Sequence, residues 1–271
     1  MAAMRKGKRP PRPSSGHSED RRSSRPAGGA PLRLYGQHAV AAAVANPSRR
    51  LRRLLATAGA LERLRAATAL PHALSVETLE RPALDALLPD GAVHQGLVLE
   101  TAPLEPPALE DLIATPAALV VVLDQVTDPQ NVGSILRSAA AFGAAALVVT
   151  AQHAPPETGA LVKAASGAFD HVPLLRVVNL ARALDALKEA GFWCVGLAGE
   201  GDTPLAGARL DGRIALVLGA EGDGLRRLTR ERCDILARLP TGGPIAALNV
   251  ATAAAVALYE VARRRDGKAL D

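Results

Sequence analysis

The second half of the chain alternates between continuous apolar runs and segments with helical spacing of apolar residues. Residues 118–124 form an apolar run that ends in Asp124, which is typical of a strand buried on both faces of a parallel sheet. Helical spacing follows at 132–142, Gly143 ends that helix, and a second apolar strand occupies 146–150. The alternation continues with a helix at 180–190 and strands at 192–197 and 213–218. A long helix at 246–264 closes the domain. This order predicts an α/β domain built on a parallel sheet.

The first half of the chain predicts a smaller α/β domain that is followed by a linker. We expect a helix at 38–45 and a strand at 50–55. Helical spacing follows at 60–70 and 76–88, and a short strand ends the segment 94–100. His94 is interpreted as a residue that caps or packs the structure. Residues 101–116 carry four prolines and several acids, a composition that favours a linker. We therefore place the two domains at 31–100 and 117–271.

The basic character of the chain is concentrated before the first domain. Residues 1–26 carry eight basic and two acidic residues, a balance of +6, whereas the whole chain has a net charge of +5. The rest of the chain therefore sums to −1, and its folded part is close to neutral. The composition of residues 1–30 predicts a disordered tail, rich in Pro, Ser and Arg. Such a tail would bind RNA weakly and in a salt-sensitive way, or would only solubilise the protein.

Several classes of protein are disfavoured by what the sequence lacks. No apolar run approaches the roughly 20 residues that a membrane-spanning helix needs, and the charged N-terminus disfavours a secretory signal. Cys194 and Cys233 are far apart and have no metal-ligand spacing, which predicts two reduced thiols. We therefore expect a cytoplasmic protein without a structural metal.

The loop between the first strand and the first helix of the second domain is the first candidate site. Asn131 is placed where the N-cap of the helix is expected, and its amide could cap free N–H groups. Gly133 and Arg137 are four residues apart and share a helix face. A glycine beside an arginine would leave room for a substrate backbone next to a cation. The alternative is an ordinary capped helix with an arginine in solvent.

The second candidate loop follows the strand at 213–218 and is rich in glycine. Gly219, Gly222 and Gly224 would let the backbone approach a ligand closely, because glycine adopts conformations that other residues avoid. Glu221 and Asp223 in the same loop argue against a phosphate ligand. They favour a ligand that is cationic or bears hydroxyl groups.

The third candidate loop leads into the closing helix. It contains Pro240 and Gly243 and ends in Leu248 and Asn249. A single asparagine near the start of a helix is most often a cap. Because ligands bind at the carboxyl ends of strands in open parallel sheets, the three loops are expected to share one site.

In this order, the three segments resemble the motifs of the SpoU/TrmH branch of the SPOUT methyltransferases. The residues that match the three motifs are Asn131, Gly133 and Arg137, then Gly219, Glu221, Gly222 and Gly224, then Pro240, Gly243, Leu248 and Asn249. Upstream, Tyr35-Gly36 and His94-Gln95-Gly96 resemble the L30e-like substrate-binding domain of this branch. The resemblance covers residues 117–264 together with the small domain.

This resemblance implies a fold, a cofactor and a reaction. The fold would be a SPOUT domain with a C-terminal trefoil knot, acting as a homodimer. S-Adenosylmethionine would be the methyl donor, without a metal, and the acceptor would be the ribose 2′-hydroxyl of a guanosine in 23S ribosomal RNA. The residues implied in cofactor binding are Gly219, Gly222, Leu239, Gly243 and Leu248.

The resemblance also assigns roles to four polar residues. Arg137 would hold the ribose-phosphate and stabilise the developing alkoxide, because a guanidinium stays protonated and is a poor general base. Asn131 and Asn249 would position the substrate, and Glu221 would fix the second loop.

One departure from the family pattern keeps alternatives open. Ala247 and Ala251 stand where the family commonly has serine. A non-catalytic RNA-binding factor for ribosome assembly that keeps the fold is therefore one alternative. A tRNA guanosine 2′-O-methyltransferase is another, although such enzymes usually lack the L30e-like domain. Methylation of a different ribosomal nucleotide is a third.

Overall fold

The computed structural model describes residues 31–116, 118–244 and 248–266, and these belong to one compact unit. The basic tail expected at 1–30 lies outside the described residues, as does Ala247 of the third motif.

The first part of the described chain forms a mixed four-stranded sheet in the order β1-β4-β2-β3. Its strands are β1 (Leu32–Tyr35), β2 (Leu51–Ala56), β3 (Ser75–Thr78) and β4 (Leu97–Thr101). Strand β4 runs antiparallel to both β1 and β2, whereas β3 runs parallel to β2. The helices that accompany it are α1 (Gln37–Ala45), α2 (Ala58–Ala67) and α3 (Arg81–Asp85). We call residues 31–101 the small module.

One expectation for the small module is wrong in part. Residues 76–88 were expected to show helical spacing throughout, but 75–78 form the edge strand β3 and only Arg81–Asp85 is helical. Pairing with β2 satisfies the backbone of this short segment, a tertiary effect that periodicity does not reveal. His94 is structural, as predicted. It is fully buried, its Nε2 lies 2.9 Å from Asp85 Oδ1, and its Nδ1 accepts from Gly96 N at 3.1 Å.

The rest of the described chain is built on a seven-stranded sheet in the order β7-β6-β5-β10-β8-β11-β9. Its strands are β5 (Leu119–Asp124), β6 (Ala146–Thr150), β7 (Leu174–Val177), β8 (Phe192–Leu197), β9 (Thr203–Pro204), β10 (Arg213–Gly219) and β11 (Ile235–Arg238). Its helices are α4 (Leu109–Ile113), α5 (Pro129–Ala141), α6 (Gly159–Ala165), α7 (Leu180–Glu189), α8 (Arg227–Arg232) and α9 (Val250–Asp266). Short 3₁₀ turns occupy Ala168–Asp170 and Leu205–Gly207. We call this part the large module.

The predicted α/β architecture with a parallel sheet is confirmed, because every strand pair in the seven-stranded sheet is parallel. Every residue of β5 is buried, as its apolar sequence predicts. In the register of β5 with β10, Asp124 faces Gly219. The loops that carry the first two motifs therefore leave the sheet side by side. The trefoil knot and the domain boundaries stay predictions.

The start of α5 differs from the prediction in two respects. The helix begins at Pro129, and its N-cap is Asp128, whose Oδ1 accepts from Gln130 N at 2.9 Å. Proline suits this first position because its missing N–H would be unbonded there. Asn131 is therefore the third helical residue and not the cap. The space beside Gly133 is filled by α6, because an added Cβ would lie 2.6 Å from Ala164 Cβ. The expected room for a substrate backbone is therefore absent there.

The described residues show no helix that is both long and apolar enough to cross a membrane. Within the same residues, no group of three or more His, Cys, Asp and Glu side chains is placed to hold a metal ion. Cys194 and Cys233 are free thiols, and burial raises the pKa of each to about 12. Both are therefore protonated and poorly nucleophilic at neutral pH.

Candidate active site

The structure brings together three of the four residues predicted to be catalytic. Asn131 Nδ2 donates to Glu221 Oε1 at 2.9 Å, and Asn249 Nδ2 donates to the same oxygen at 2.6 Å. Asn249 Nδ2 also donates to Asn131 Oδ1 at 3.0 Å. We call these three residues the polar triad. Its members come from α5, from the loop after β10 and from the residue before α9, so one polar group joins all three motifs.

Asn249 also caps α9, as the sequence predicts for an asparagine near a helix start. Its Oδ1 accepts from Ala251 N at 2.9 Å and from Thr252 N at 3.3 Å. The amide thus uses its oxygen for the helix and its nitrogen for the triad. The structure assigns α9 from Val250, directly after this cap, whereas the sequence predicted a helix from residue 246, which lies outside the described residues. Ala251 contributes a backbone N–H here, a contribution that does not depend on its side chain.

The glycine-rich loop folds back on itself and presents Glu221 at its tip. Ala220 and Gly224 exchange two backbone hydrogen bonds of 3.1 and 3.0 Å. Gly219 packs directly on this turn, since an added Cβ would lie 2.1 Å from the carbonyl carbon of Gly224. Gly222 and Gly224 have φ angles of 85° and 66°, a region that side-chain-bearing residues rarely adopt. The shape of the loop therefore depends on its glycines.

A buried carboxylate anchors the far end of the same loop. Asp124, at the end of β5, is fully buried and accepts from Arg226 N at 2.9 Å and from Arg226 Nε at 2.7 Å. Each carboxylate oxygen has its own donor. The loop is thus held by β10 at one end and by Asp124 at the other, which fixes the position of Glu221 between them.

A cleft of about 360 Å³ opens beside the triad. Four of the five residues predicted to bind a cofactor line it, namely Gly219, Gly222, Leu239 and Leu248. Gly243, the fifth, is not among the lining residues. Sequence reasoning missed the contribution of the end of β8 and the residues that follow it, Leu197, Ala198, Gly199 and Glu200. The signal was available, because residues after a buried parallel strand are expected at the ligand-binding edge.

Arg137, the fourth predicted catalytic residue, is exposed on α5 and takes no part in the hydrogen bonds of the triad. It makes no hydrogen bond or ion pair with any part of the chain that the structure describes. Arg137 stands six positions after Asn131 on the same helix. This spacing corresponds to about 9 Å along the helix axis and a rotation of about 240° around that axis. The arginine is therefore available to a ligand that reaches α5 from solvent.

Two family models match the chain over both modules. Residues 118–259 match the SpoU rRNA Methylase family, and residues 33–107 match the family described as RNA 2′-O ribose methyltransferase substrate binding. The chain belongs to the SpoU rRNA methylase family. The predicted resemblance is thereby confirmed.

Curated SpoU relatives are similar over most of their length. The 23S rRNA (guanosine-2′-O-)-methyltransferase RlmB of Vibrio cholerae is 45% identical over 196 residues, covering 71% of this chain and 79% of the relative. The protein of the same name from Escherichia coli K12 is 40% identical over 241 residues, covering 86% and 98%. Among solved structures, the SpoU methyltransferase AviRb from Streptomyces viridochromogenes, in complex with AdoMet, is 26% identical with a TM-score of 0.71, covering 87% of this chain and 91% of AviRb.

Proposed function

We propose that this SpoU family member transfers a methyl group from S-adenosylmethionine to the ribose 2′-oxygen of a guanosine in 23S ribosomal RNA. The observation that carries the proposal is the polar triad, in which all three motif loops meet beside one cleft. The relatives named as 23S rRNA (guanosine-2′-O-)-methyltransferases support the choice of substrate. Glu221 and Asn249 are exposed, as a site for a macromolecular substrate must be.

The cleft fits S-adenosylmethionine in size and in chemistry. Its volume of about 360 Å³ is within the range of small-molecule sites. Leu197, Leu239 and Leu248 offer apolar surface to a purine, and the loop glycines expose backbone groups for hydrogen bonding. Glu200 and Asp223 also line the cleft. Glu200 is paired with Arg230, so Asp223 is the acid whose charge suits the sulfonium and ammonium groups of this ligand. The structure of AviRb in complex with AdoMet supports the same assignment.

The reaction needs an oriented hydroxyl and a way to stabilise the charge that develops on its oxygen. S-Adenosylmethionine supplies an electrophilic methyl group when it is bound. Arg137 holds the ribose-phosphate and donates toward the 2′-oxygen while the hydroxyl proton passes to solvent water, and S-adenosylhomocysteine would be the leaving group. The contribution of Arg137 is therefore electrostatic stabilisation rather than base catalysis. Asn131 orients the nucleotide with the amide N–H that the triad leaves free, and Asn249 positions the nucleotide through its hydrogen bond to Asn131. Glu221 holds both amides in place through a single carboxylate oxygen.

Replacement of Asp124 by asparagine is expected to loosen the glycine-rich loop. Both carboxylate oxygens accept hydrogen bonds from Arg226, and an asparagine NH₂ would face one of these donors instead. We expect the dissociation constant of S-adenosylmethionine to rise about tenfold, the equivalent of about 1.4 kcal/mol, in calorimetric titration. Asp90→Asn, an exposed change in the small module, is the matched control and should leave the affinity unchanged. Equal affinity in both variants would contradict the anchoring role of Asp124.

The proposal includes a homodimer, and α9 offers a surface for it. Val256 and Tyr259 share one face of the helix and are 45% and 53% exposed, a large exposure for apolar side chains. Phe142 lies against the ring of Tyr259, at 6.2 Å between ring centroids, and extends this face toward α5. A Val256→Glu variant is therefore expected to be monomeric in sedimentation equilibrium, where the parent chain is dimeric. A control change at exposed Arg182 of α7 should not alter the mass, and a monomeric parent chain would contradict the dimer.

Methyl transfer with tritiated S-adenosylmethionine tests the substrate class. Deproteinised 23S ribosomal RNA and bulk tRNA would be offered in parallel at equal nucleotide concentration. Both would come from cells that lack a close homologue of this protein, so that the target nucleotide is not already methylated. We expect incorporation into the ribosomal RNA and none above background into tRNA. Incorporation into tRNA alone would replace the proposed substrate with the alternative one. No incorporation into either RNA, with S-adenosylmethionine still bound, would favour the non-catalytic alternative.

A further inference from the structure

A buried ion cluster joins the small module to the large one. Arg49, in the loop after α1, has a fully buried side chain. Its Nε lies 2.7 Å from Asp170 Oδ1, and its Nη1 lies 2.6 Å from Glu157 Oε1. The side chain of Asp170 is also fully buried and that of Glu157 is 10% exposed. Both carboxylates belong to residues 157–171 of the large module, which we call the docking segment.

Neighbouring groups complete the cluster. Asn46 Nδ2 donates to Asp170 Oδ1 at 2.9 Å, and the guanidinium of Arg49 lies 5.7 Å from the ring centroid of Phe169. Glu157 Oε2 accepts from Leu104 N at 3.1 Å, so the cluster also holds the beginning of the segment that was expected to be a linker. Burial raises the pKa of Glu157, and the charge of Arg49 opposes that shift. The cluster therefore depends on the guanidinium to keep two carboxylates in one buried site.

The backbones of the two modules approach one another closely around this cluster. An added Cβ at Gly159 would lie 2.4 Å from the carbonyl oxygen of Arg33. An added Cβ at Gly167, whose φ is 92°, would lie 3.1 Å from the carbonyl oxygen of His38. Glycines at both ends of the docking segment thus allow direct backbone packing. Such packing restricts the orientation of the small module, because an added methyl group at either glycine would meet its backbone.

The Gly36 and His94-Gln95-Gly96 motifs add a second contact across the same interface. Gln95 has a positive φ of 56°, and its Oε1 accepts from both Gln37 N and Lys163 Nζ at 3.0 Å. The end of the Lys163 side chain lies against Gly36, where an added Cβ would be 2.4 Å from its Nζ. These motif residues, which the mechanism does not use, therefore connect α1 to α6.

The docking segment continues to the active site through α6. Gly133 of α5 packs against this helix, since an added Cβ would lie 2.7 Å from the carbonyl oxygen of Leu161. Asn131 of the polar triad stands two residues before Gly133 on α5. The ion cluster is thus linked through α6 to α5, the helix that carries Asn131.

We propose that Arg49 is a positioning residue, which sets the orientation of the RNA-binding small module relative to the active site by neutralising Glu157 and Asp170. This inference rests on the proposed function for the role of the small module. The ion cluster of Arg49, Glu157 and Asp170, which we call the clasp, is a property of the protein alone. RNA held by the small module is presented to the triad in one orientation only while the clasp is closed. Loss of the clasp weakens productive RNA binding and leaves the cleft for the methyl donor intact.

Amide hydrogen exchange of an Arg49→Met variant of the full chain tests the clasp without RNA or methyl donor. Methionine keeps an unbranched apolar side chain and leaves two buried carboxylates unpaired. We expect exchange in residues 36–46 and 157–171 to accelerate roughly tenfold or more, with β5 and β10 unchanged, because an uncompensated buried charge is strongly destabilising. Arg53→Met is the matched control, because the ion pairs of Arg53 with Glu77 and Glu100 stay within the small module. Unchanged exchange in Arg49→Met would overturn the proposal.

A second variant and a kinetic readout separate positioning from folding. Asp170→Asn removes one carboxylate and keeps the pair of Arg49 with Glu157, so it should fold even where Arg49→Met does not, with a smaller increase in exchange. In methyl-transfer assays of Asp170→Asn, and of Arg49→Met where it folds, we expect the KM for ribosomal RNA to rise roughly fivefold or more. The kcat and the affinity for S-adenosylmethionine should stay unchanged. A fall in kcat at constant KM, or normal KM with faster exchange, would overturn the positioning role. If the parent chain transfers no methyl group, the proposed function fails. The hydrogen-exchange experiment still shows whether Arg49 holds the two modules together.

Discussion

An Arg137→Ala variant is expected to bind S-adenosylmethionine like the parent chain and to lose methyl transfer almost completely. The side chain is exposed, makes no hydrogen bond or ion pair with the described part of the chain and is absent from the lining of the cleft, so its removal should not disturb the fold or the cofactor site. Removing one oriented donor to a developing oxyanion costs about 100-fold or more in kcat. Single-turnover methyl transfer at saturating RNA, with calorimetric titration of S-adenosylmethionine, measures both quantities.

The matched control for this prediction is Arg182→Ala. Arg182 is also exposed on a helix and carries the same charge, but α7 does not line the cleft. Loss of one positive charge weakens RNA binding in both variants by a similar, salt-dependent amount. Only the Arg137 variant should lose kcat. An Arg137→Ala enzyme that keeps most of its turnover would contradict the assignment of this residue to the chemical step.

A Gly219→Ala variant is expected to lose the binding of S-adenosylmethionine. The added methyl group would overlap three backbone atoms of the facing turn, at 2.1 Å from the carbonyl carbon of Gly224, 2.2 Å from its oxygen and 2.4 Å from Leu225 N. Backbone cannot move aside as the end of a side chain can, so the loop must open and Glu221 must leave the triad. We expect the dissociation constant to rise about 100-fold, equivalent to about 2.7 kcal/mol.

Gly207→Ala is the control outside the cleft. Gly207 is exposed and does not line the cleft, an added Cβ there would meet only Thr203 Cγ2 at 3.7 Å, and its φ is not in the left-handed region. The affinity of that variant should stay within about threefold of the parent value, since small surface changes cost little. Comparable losses in both variants would show that the turn at Gly219 has no special role.

The architecture of the large module could be predicted because its central strands are almost entirely apolar in sequence. Residues 119–124 are all apolar except the last and all buried, so composition alone predicts a central parallel strand. The three glycine-rich or small-residue loops could be assigned to one site because parallel strands present their carboxyl ends at one edge. The shared edge explains why residues distant in sequence, such as Asn131 and Asn249, meet at 3.0 Å.

Other features depend on tertiary contacts that a single sequence does not display. Asn131 has the residue type of an N-cap, but Asp128 and Pro129 start the helix earlier and leave its amide free for Glu221. Gly133 is small because α6 packs against it and not because a substrate does. The strand at Ser75–Thr78 is stabilised by pairing with β2, which has no local signal.

The ion cluster at Arg49 was also invisible to sequence reasoning. Its carboxylates stand more than 100 residues away in the sequence, on the 3₁₀ turn and before α6. Neither segment has a pattern that distinguishes a buried acid from a solvated one. Residues that position a second module can therefore be found only once the interface between the modules is known.

Nucleoside mass spectrometry of methylated 23S ribosomal RNA is the most direct test of whether this protein methylates the ribose of a guanosine. Deproteinised RNA would be incubated with the protein and S-adenosylmethionine carrying a deuterated methyl group, digested to nucleosides and compared with RNA treated with Arg137→Ala. We expect labelled 2′-O-methylguanosine with the parent chain and at most about one hundredth of that rate with the variant. Label in another nucleoside, label in a base, or no label while S-adenosylmethionine binds normally would contradict the proposed function.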